Sequence, residues 1–425
     1  MSVISIISFI ICSMIILSSF RANTDVFSPG RAFAFIWSLA IGLTDLKLSG
    51  LQQQWPLEIW MQVLIGPTSF LIGVFIAYTI NLNKEVVPIG NMRVNIHFWE
   101  IDKQKLFRTI TVLFILFIVG YVLIYLKSGE IPLFSAKPGV ARSNFTMFGI
   151  GLFLHNVVLI GFLSAVYLVL EEKKLLRKSL LVIFTLTSLA LYAITLQRYQ
   201  IFLTVLMIVA FLYYTTFRIN FRSVLLISAI FVVFFYLVSS FRAGEVIIYV
   251  LYKLSKMKFS PSYAVFTEPY MYVVMNLENF ARSISKTDFF TYGYYTFDFV
   301  TAITGIKHWI GEYFNLNETP FLISSYNTYS AFWTYYRDFG ILGIFIIPLF
   351  GGVGISTLYY SFRAKPSLNK ISFYGVLLFA VMFSFFNSAF GFLWFVYDII
   401  VLVVVLKYMS LGGSDKFNQI NLAHK

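Results

Sequence analysis

Residues 327–343 read N-T-Y-S-A-F-W-T-Y-Y-R-D-F-G-I-L-G, and this stretch contains the feature that decides the fold. It begins with polar and aromatic residues, carries the adjacent charges Arg337 and Asp338, and continues as an apolar run over residues 339–350. An ionisable pair at the mouth of a membrane helix is costly unless neighbouring groups hold it. The stretch therefore predicts a junction between a water-facing loop and a spanning helix, with a functional site at the join.

The composition of the whole chain is that of a helical membrane protein. Hydrophobic residues make up 59% and charged residues 12% of the 425 residues, whereas a soluble domain carries about 25% charged residues. Repeated apolar runs of about 20 residues indicate membrane spans. The net charge of +13 indicates basic residues that face cytoplasm and lipid headgroups, not nucleic acid. The single cysteine, Cys12, excludes an intrachain disulfide and a cysteine metal cluster.

Apolar segments along the chain predict an all-α polytopic membrane protein with about 11 transmembrane helices. The segments are residues 3–20, 32–48, 59–82, 106–126, 149–170, 179–196, 201–217, 223–240, 339–362, 372–386 and 390–408. The first has no basic residue before it, which fits an uncleaved helix and not a signal peptide. We therefore divide the chain into helices one to eight (1–240), a large outer loop (241–326), and helices nine to eleven with a cytoplasmic tail (327–425).

The orientation follows from basic loops that are two spans apart, because such loops face the cytoplasm together. These loops contain Lys84, Arg93, Lys103, Lys105 and Arg108; Lys173, Lys174, Arg177 and Lys178; Arg218 and Arg222; and Arg363, Lys365 and Lys370. The pattern predicts an N-terminus outside and a C-terminus in the cytoplasm.

The 86 residues of segment 241–326 are too many for a simple connection. Apolar residues recur there at helical spacing, which predicts amphipathic helices lying on the outer membrane face. The two series are Ile247, Val250, Leu251 and Leu254, and Val273, Val274, Leu277, Phe280, Ala281 and Ile284, the second interspersed with Asn276, Asn279, Arg282 and Ser283. The alternative is that the loop simply caps the helical bundle.

Five arginines lie near predicted span ends or in the loop on the outer side: Arg142, Arg198, Arg242, Arg282 and Arg337. A guanidinium is always charged and presents a planar fork of donors that matches phosphate oxygens. Several of them at one membrane face would suit a lipid diphosphate, whereas any single one fits snorkelling toward headgroups. Arg198 fits snorkelling least, because it stands almost alone in a short outer turn, against the orientation rule.

Signals for other chemistry are weak in this sequence. The histidines His97, His155, His308 and His424 show no ligand spacing, and there is no phosphate loop or dinucleotide motif, so we expect no metal and no cofactor. The acidic residues Glu100 and Asp102 suggest a solvated cluster in a cytoplasmic loop. Few charges lie deep in the spans, where Asp45, Lys47 and Asp398 are the exceptions, and an ion relay usually needs more.

Four segments, in order, carry a resemblance to a known family. They are I-P-L-F-S-A-K-P-G-V-A-R-S-N-F (131–145), L-Q-R-Y-Q-I-F-L (196–203), F-R-A-G-E (241–245) and the block 327–343. With the large outer loop before the last spans, the chain resembles the O-antigen polymerases (Wzy-type), the oligosaccharide repeat-unit polymerases of bacteria, over nearly its whole length. The resemblance implies a GT-C-like architecture in the bacterial inner membrane.

The activity that the resemblance implies is that of a membrane glycosyltransferase in O-antigen, capsule or exopolysaccharide synthesis. It would transfer a growing glycan from undecaprenyl diphosphate onto a lipid-linked repeat unit at the outer face. The implied partners are undecaprenyl-diphosphate-linked oligosaccharides, membrane lipids, a chain-length regulator and a flippase. Two other functions stay open: a flippase or other transporter of lipid-linked oligosaccharide, and an O-antigen ligase-type transferase.

Roles for individual residues also follow from the resemblance. The five arginines would hold the diphosphates and stabilise charge on the leaving group. Asp338, Glu245 and His308 are the candidates for the general base, and the sequence does not choose among them. Asp338 could instead simply pair with an arginine. Asn327 and Tyr329 would bind sugar hydroxyls, or else pack at the start of a helix.

Overall fold

The computed structural model of this chain is almost entirely helical. It describes residues 2–21, 24–95, 101–171, 173–243, 246–287, 289–313, 323, 326 and 328–410. Helix accounts for 77% of the structure, and β pairing among the described residues is limited to two isolated bridges. The prediction of an all-α fold is therefore confirmed.

The helices are labelled in chain order. They are α1 (Val3–Ser19), α2 (Pro29–Asp45), α3 (Leu57–Ile80), α4 (Ile89–Asn95), α5 (Lys103–Ser128), α6 (Pro138–Asn144), α7 (Val157–Leu170), α8 (Leu175–Ala193), α9 (Tyr199–Thr215), α10 (Phe221–Ala243), α11 (Val246–Leu254), α12 (Thr267–Ile284), α13 (Asp298–Thr304), α14 (Ile306–Tyr313), α15 (Ala331–Ala364), α16 (Leu368–Phe383) and α17 (Leu393–Ser410). Short 3₁₀ turns at Pro132–Phe134, Ile150–Asn156, Pro261–Phe266 and Ala389–Gly391 connect some of them.

The chain forms two compact units. Unit 1 comprises Met1–Val87, Glu245–Pro366 and Leu377–Phe395. Unit 2 comprises Pro88–Gly244, Ser367–Val376 and Val396–Lys425. The boundaries pass through α16 and α17, so each of these helices contributes to both units.

Several helices have the length and composition that membrane crossing requires. Five described helical segments satisfy both criteria: Leu57–Ile80, Lys103–Phe134, Ile150–Leu170, Leu175–Ala193 and Ala331–Ala364. Four shorter apolar helices accompany them: Val3–Ser19, Tyr199–Thr215, Phe221–Phe234 and Leu368–Phe383. In hydrocarbon a helix satisfies its own backbone hydrogen bonds, so these segments support membrane insertion. The number of eleven spans stays a prediction.

Helix α5 shows how local sequence fixes the ends of a span. Asp102 precedes it, and its carboxylate accepts hydrogen bonds from the amides of Gln104 (2.9 Å) and Lys105 (3.0 Å). The helix ends at Gly129, whose φ of +76° is the left-handed conformation common after a last helical turn. The Lys105 amide holds the pKa of Asp102 below its usual value. Asp102 is therefore a helix cap and not merely part of a solvated cluster.

The most extensive helix contact in unit 1 joins α3 to α15, and glycines make it possible. A Cβ on Gly73 would lie 2.1 Å from the carbonyl oxygen of Leu349. A Cβ on Gly352 would lie 2.2 Å from the carbonyl oxygen of Phe70. Small residues allow helix backbones to approach closely where van der Waals packing holds helices together. The two helices thus provide a fixed frame for the stretch that contains Arg337.

Unit 1 is also joined by side chains that are far apart in sequence. The indole Nε1 of Trp37 donates to the hydroxyl of Ser384 at 2.8 Å. Buried Arg363 pairs with buried Asp25 at 2.6 Å, and the hydroxyl of Tyr359 donates to the same carboxylate at 2.7 Å. Buried charges of this kind are tolerated only when they are paired and hydrogen-bonded. Residues in the first 40 positions of the chain therefore contact residues in its last third.

The helix predicted to start at residue 339 begins earlier and contains a break. Helix α15 starts at Ala331, and Gly340 interrupts it with φ of +63° and ψ of −145°. A residue with a Cβ is strained in this conformation, and a Cβ here would lie 2.8 Å from Cζ of Phe290. Gly340 thus marks a kink between two parts of α15. The part before it is short and carries Arg337 and Asp338, and the part after it is long and apolar.

Replacing Gly340 with Ala should lower the thermal midpoint of the purified protein. The positive φ and the contact with Phe290 together predict a loss of about 1–3 kcal/mol in unfolding free energy. The matched control is Gly351→Ala on the same helix, where a Cβ meets nothing within 4 Å and alanine favours helix by about 1 kcal/mol. Equal thermal midpoints of unfolding for the two variants would contradict a strained kink at Gly340.

Helices occur in the long segment where the periodicity predicts them, as α11 and α12. The polar residues of α12 do not lie on an exposed face, because Asn276, Asn279 and Ser283 are fully buried. The Asn279 amide donates to the carbonyls of Tyr326 and Thr328, both at 2.9 Å, and its oxygen accepts from the amide of Ile323. The polar residues of α12 therefore pack inside unit 1, because its amides bind the chain that leads into α15, and its position on the outer membrane face stays a prediction.

Candidate functional site

Asp338 binds the loop that precedes α13. Its carboxylate accepts hydrogen bonds from the amides of Tyr295 (3.2 Å) and Thr296 (2.6 Å) and from the hydroxyl of Thr291. The side chain is completely buried, and no cation lies within ion-pair distance among the described residues. Asp338 thus anchors a loop to the first segment of α15, and it does not form the arginine pair that the sequence left open. A role as general base stays a prediction, and it would require breaking these bonds.

Arg337 lies beside this loop and is also buried, with 6% of its surface exposed. Its Nη1 donates to the carbonyl of Phe289 at 2.7 Å, and its guanidinium stands 4.3 Å from the centre of the Phe289 ring. It also hydrogen-bonds to the hydroxyl of Tyr295. Stacking and hydrogen bonding hold the planar group in one orientation, which a flexible snorkelling side chain would not show. The geometry therefore differs from that of a headgroup-seeking arginine.

An aromatic cluster surrounds this arginine in unit 1. Tyr329 stacks on Trp333 with ring centres 3.9 Å apart, and Tyr295 meets the same indole edge-on at 4.9 Å. Burial raises the pKa of Tyr329 and of Tyr295 above that of a free phenol, so both phenols stay protonated at neutral pH. Tyr329, which the sequence assigns to sugar binding or packing, is thus part of a stacked aromatic wall.

Four polar atoms in or beside this wall have no hydrogen-bond partner among the described residues, although they are buried. They are the hydroxyls of Thr296, Tyr329 and Ser330 and the indole Nε1 of Trp333. Buried polar groups are nearly always satisfied in proteins, so each exception calls for a partner. Three hydroxyls and an indole N–H beside stacked aromatic rings are suited to a polyhydroxylated ligand that has apolar faces, such as a sugar.

A second buried centre of unit 1 is organised by Glu278 of α12. Its carboxylate pairs with Lys47 at 3.3 Å and accepts hydrogen bonds from the amide of Gln53 (2.8 Å) and Nε1 of Trp55 (3.0 Å). Nε of Arg282 lies 3.5 Å away, one helical turn along. No sequence pattern assigns a role to Glu278, and only its position among the apolar residues of α12 could have indicated that it is buried.

Arg282 is therefore committed to contacts within unit 1. Besides Glu278, its guanidinium donates to the carbonyl of Leu51 at 2.6 Å. The same segment is held by Tyr270, whose hydroxyl donates to Oε1 of Gln52 at 2.7 Å. Burial raises the pKa of Tyr270 to about 12. A diphosphate contact by Arg282 stays a prediction, and it would compete with the ion pair to Glu278.

Of the predicted arginines with described side chains, Arg142 and Arg198 belong to unit 2. Arg142 lies in α6, and Arg198, with 4% of its surface exposed, immediately precedes α9. Tyr192, at the end of α8, is also buried; its hydroxyl donates to Oε1 of Gln197 at 2.8 Å, and it interacts electrostatically with both Arg142 and Asp398. Residues of α6, α8 and α17 thus bring basic, phenolic and acidic groups together.

Asp398 of α17 is the residue in this group whose importance the sequence did not show. It is completely buried, and neither carboxylate oxygen has a hydrogen-bond partner among the described residues. Its neighbour Tyr397 donates to Oδ1 of buried Asn156 at 2.9 Å. A buried carboxylate in an apolar helix is expensive, and such residues mark ion, proton or substrate sites by default. Its position in the last apolar segment was visible, but its surroundings were not.

Non-glycine residues with positive φ stand beside each of these centres. They are Lys47 (φ +49°) at Glu278, Leu196 (φ +58°) next to Arg198, and Tyr292 (φ +46°) in the loop that Asp338 binds. Such conformations cost about 1–3 kcal/mol and persist where the surroundings impose them, which is common at functional sites. The three centres are thus held in defined shapes by their own packing.

The remaining predicted site residues cannot be placed in these centres. Glu245 and Asn327 lie outside the described residues, as do the side chains of Arg242 and His308, whose backbones belong to α10 and α14. The predicted arginines with described side chains are thus distributed over both units. Their joint action on one diphosphate stays a prediction.

Two further observations concern these centres: the arrangement of potential metal ligands and the similarity of the chain to known proteins. Among the described residues, no group of three or more His, Cys, Asp or Glu side chains is arranged to hold a metal ion. Comparisons of this chain with family models, with curated proteins and with solved structures give no match.

Proposed function

We propose that this chain is a membrane glycosyltransferase that polymerises oligosaccharide repeat units carried on a polyprenyl diphosphate. The observation that carries the proposal is the aromatic wall of Tyr295, Tyr329 and Trp333 beside buried Arg337. Stacked rings with unsatisfied buried donors suit a sugar, and a fixed guanidinium suits a phosphate. Long apolar helices in the same chain suit a substrate that is anchored in lipid. Transfer from a lipid diphosphate requires all three properties.

The roles of the side chains follow from their chemistry. Arg337 would bind the donor diphosphate and stabilise the charge that develops on it as the glycosidic bond to phosphate breaks. Tyr329 and Trp333 would bind the sugar next to the diphosphate through its apolar face and its hydroxyls. Arg142 and Arg198 would serve a second diphosphate, that of the acceptor. The eleven spans, the GT-C-like architecture and the bacterial inner membrane belong to this proposal.

The direct test uses the purified chain in proteoliposomes with lipid-linked repeat units as the sole substrate. A polymerase makes a ladder of products that differ by one repeat unit, and it does so without a further protein. A ligase-type transferase makes product only when a second acceptor is supplied. A chain that yields no ladder under conditions in which it remains folded contradicts the proposal.

A proton-coupled transporter of lipid-linked oligosaccharide is a second candidate, favoured by Asp398. A fully buried carboxylate without a hydrogen-bond partner among the described residues is what a proton-carrying site requires. Under this candidate, Asp398→Asn should eliminate translocation driven by a pH gradient, because an amide carries no titratable proton. The measurement is the transfer of a fluorescent lipid-linked oligosaccharide across proteoliposomes with and without the gradient.

The control for this variant is Asp102→Asn, a carboxylate-to-amide change elsewhere in unit 2. Asparagine caps a helix nearly as well as aspartate, so α5 should remain intact and transport unchanged. If translocation by the unmodified protein does not depend on the pH gradient, the proton-coupled transporter is excluded. Formation of a ladder by the same preparation then favours the polymerase.

A further inference from the structure

We propose that unit 2 contains a binding site for an anionic phospholipid, separate from the Arg337, Glu278 and Asp398 centres and independent of the proposed function. The site is a half-open cavity of about 860 Å³ lined mainly by α7, α8 and α9. Helices α8 and α9 both pack along α7 but contact each other far less, which leaves the space between them. The volume lies within the range of about 300–1,000 Å³ that is usual for ligand sites.

The mouth of this cavity is basic. Arg93, Lys178 and Arg218 line it together with one carboxylate, that of Glu171. Glu171 already pairs with Lys103 at 3.8 Å, and the Lys173 amide and the nearby lysines keep its pKa below the usual value, so it is ionised at neutral pH. The lining therefore has an excess of positive charge at one end.

Two of the three cations are available to a ligand. Arg93 donates to the carbonyls of Tyr213 (3.0 Å) and Ile219 (3.3 Å), which fixes it in the wall. Lys178 and Arg218 have no side-chain hydrogen bond or ion pair among the described residues. Basic pockets between membrane helices are the sites at which anionic lipid headgroups bind.

Apolar side chains come first away from the mouth, because Leu168 and Val182 lie three and four residues along their helices from Glu171 and Lys178. Ser164 of α7 and Thr185 of α8 line the deeper part of the cavity, each seven residues, or about 10 Å of helix, from Glu171 and Lys178 respectively. Their buried hydroxyls have no partner among the described residues. In contrast, the hydroxyls of Thr204 and Thr215 on α9 donate to their own helix at 2.7 Å and 2.6 Å.

These features select one class of occupant. A free phosphate would satisfy the basic mouth but would leave the apolar wall of Leu168, Val182 and Leu212 without a partner. A glycerophospholipid with a singly anionic headgroup satisfies both the basic mouth and the apolar wall. Its phosphate meets Lys178 and Arg218, and an acyl chain covers the apolar wall next to them. The cavity lies among segments that are long and apolar enough to cross a membrane, so such a lipid has direct access.

The test measures lipid that stays bound to the full-length protein after reconstitution in phosphatidylcholine vesicles containing phosphatidylglycerol. After extraction in detergent, native mass spectrometry should detect one retained phosphatidylglycerol. The double variant Lys178→Gln with Arg218→Gln should reduce its retention by about fivefold for each cation removed. Ser164→Phe, which fills the cavity, should abolish retention without changing the charge of the mouth.

The matched control is Arg177→Gln with Arg222→Gln, because these neighbouring arginines lie outside the lining. It removes the same charge from nearby positions and should leave retention unchanged. Equal loss in both double variants, or full retention in Ser164→Phe, would overturn the proposal. Excess inorganic phosphate or glycerol 3-phosphate should not displace the lipid. Displacement by either compound would show that the cavity binds the phosphate group alone, and it would refute the lipid assignment.

Discussion

Arg337→Ala is expected to abolish polymer formation by the purified protein while the chain still inserts into membranes. Removal of a single fixed donor to developing negative charge typically costs about 10²–10³ in rate. Arg337 is held by Phe289 and Tyr295 in one orientation, so its contribution depends on geometry as well as on charge. The measurement is the initial rate of ladder formation in proteoliposomes, normalised to inserted protein.

Arg337→Lys should recover little of that rate, because an ammonium cannot reproduce the planar fork or the stacking on Phe289. Lysine preserves the charge in this variant and so separates charge from geometry. Arg177→Ala is the control, since its guanidinium also lies over an aromatic ring, 5.1 Å from that of Phe107, but has no proposed role. If the Arg337→Ala protein keeps its thermal midpoint and makes an unchanged product ladder, the diphosphate site does not lie at Arg337.

Glu278→Ala should destabilise unit 1 by about 3–5 kcal/mol, the usual cost of leaving a buried charge without its partner. The change strands Lys47 in the interior and removes the acceptor of the Gln53 amide and the Trp55 indole. Unfolding in detergent micelles, followed by tryptophan fluorescence, measures the loss. Trp55 reports on the site directly.

Two further variants identify the origin of that loss. Glu268→Ala, in the first turn of the same helix, removes a carboxylate without an ion pair among the described residues and should change stability by no more than about 1 kcal/mol. Glu278→Leu combined with Lys47→Met should recover much of the stability, because an apolar pair often replaces a buried ion pair without loss. A double variant as unstable as Glu278→Ala would show that the carboxylate acts through Gln53 and Trp55 and not through Lys47.

The elements of this fold that depend on local sequence can be predicted from it. Uninterrupted apolar runs predict α3, α5 and the long part of α15, and the spacing of Val274, Leu277 and Ala281 predicts α12. These inferences succeed because a helix is determined by its own residues and by the solvent that it faces. The charged junction at Arg337 and Asp338 is visible for the same reason.

The site itself depends on contacts that local sequence does not encode. Glu278 meets Lys47 across 231 residues, and nothing near either residue indicates the other. The aromatic wall needs Tyr295 from a loop and Trp333 from a helix, and the bonds of Asp338 to that loop have no counterpart in the sequence pattern. Gly340 falls within a predicted span because sequence gives its residue type and not its φ.

The division of unit 1 into three chain segments has a consequence for biosynthesis. Asp25 leaves the ribosome 338 residues before Arg363, an interval of roughly 20–70 s at a synthesis rate of about 5–20 residues per second. During that interval the carboxylate of Asp25 lacks the guanidinium with which it pairs in the folded protein. Nascent chains stalled before residue 363 should therefore be the preferred substrates of membrane quality control.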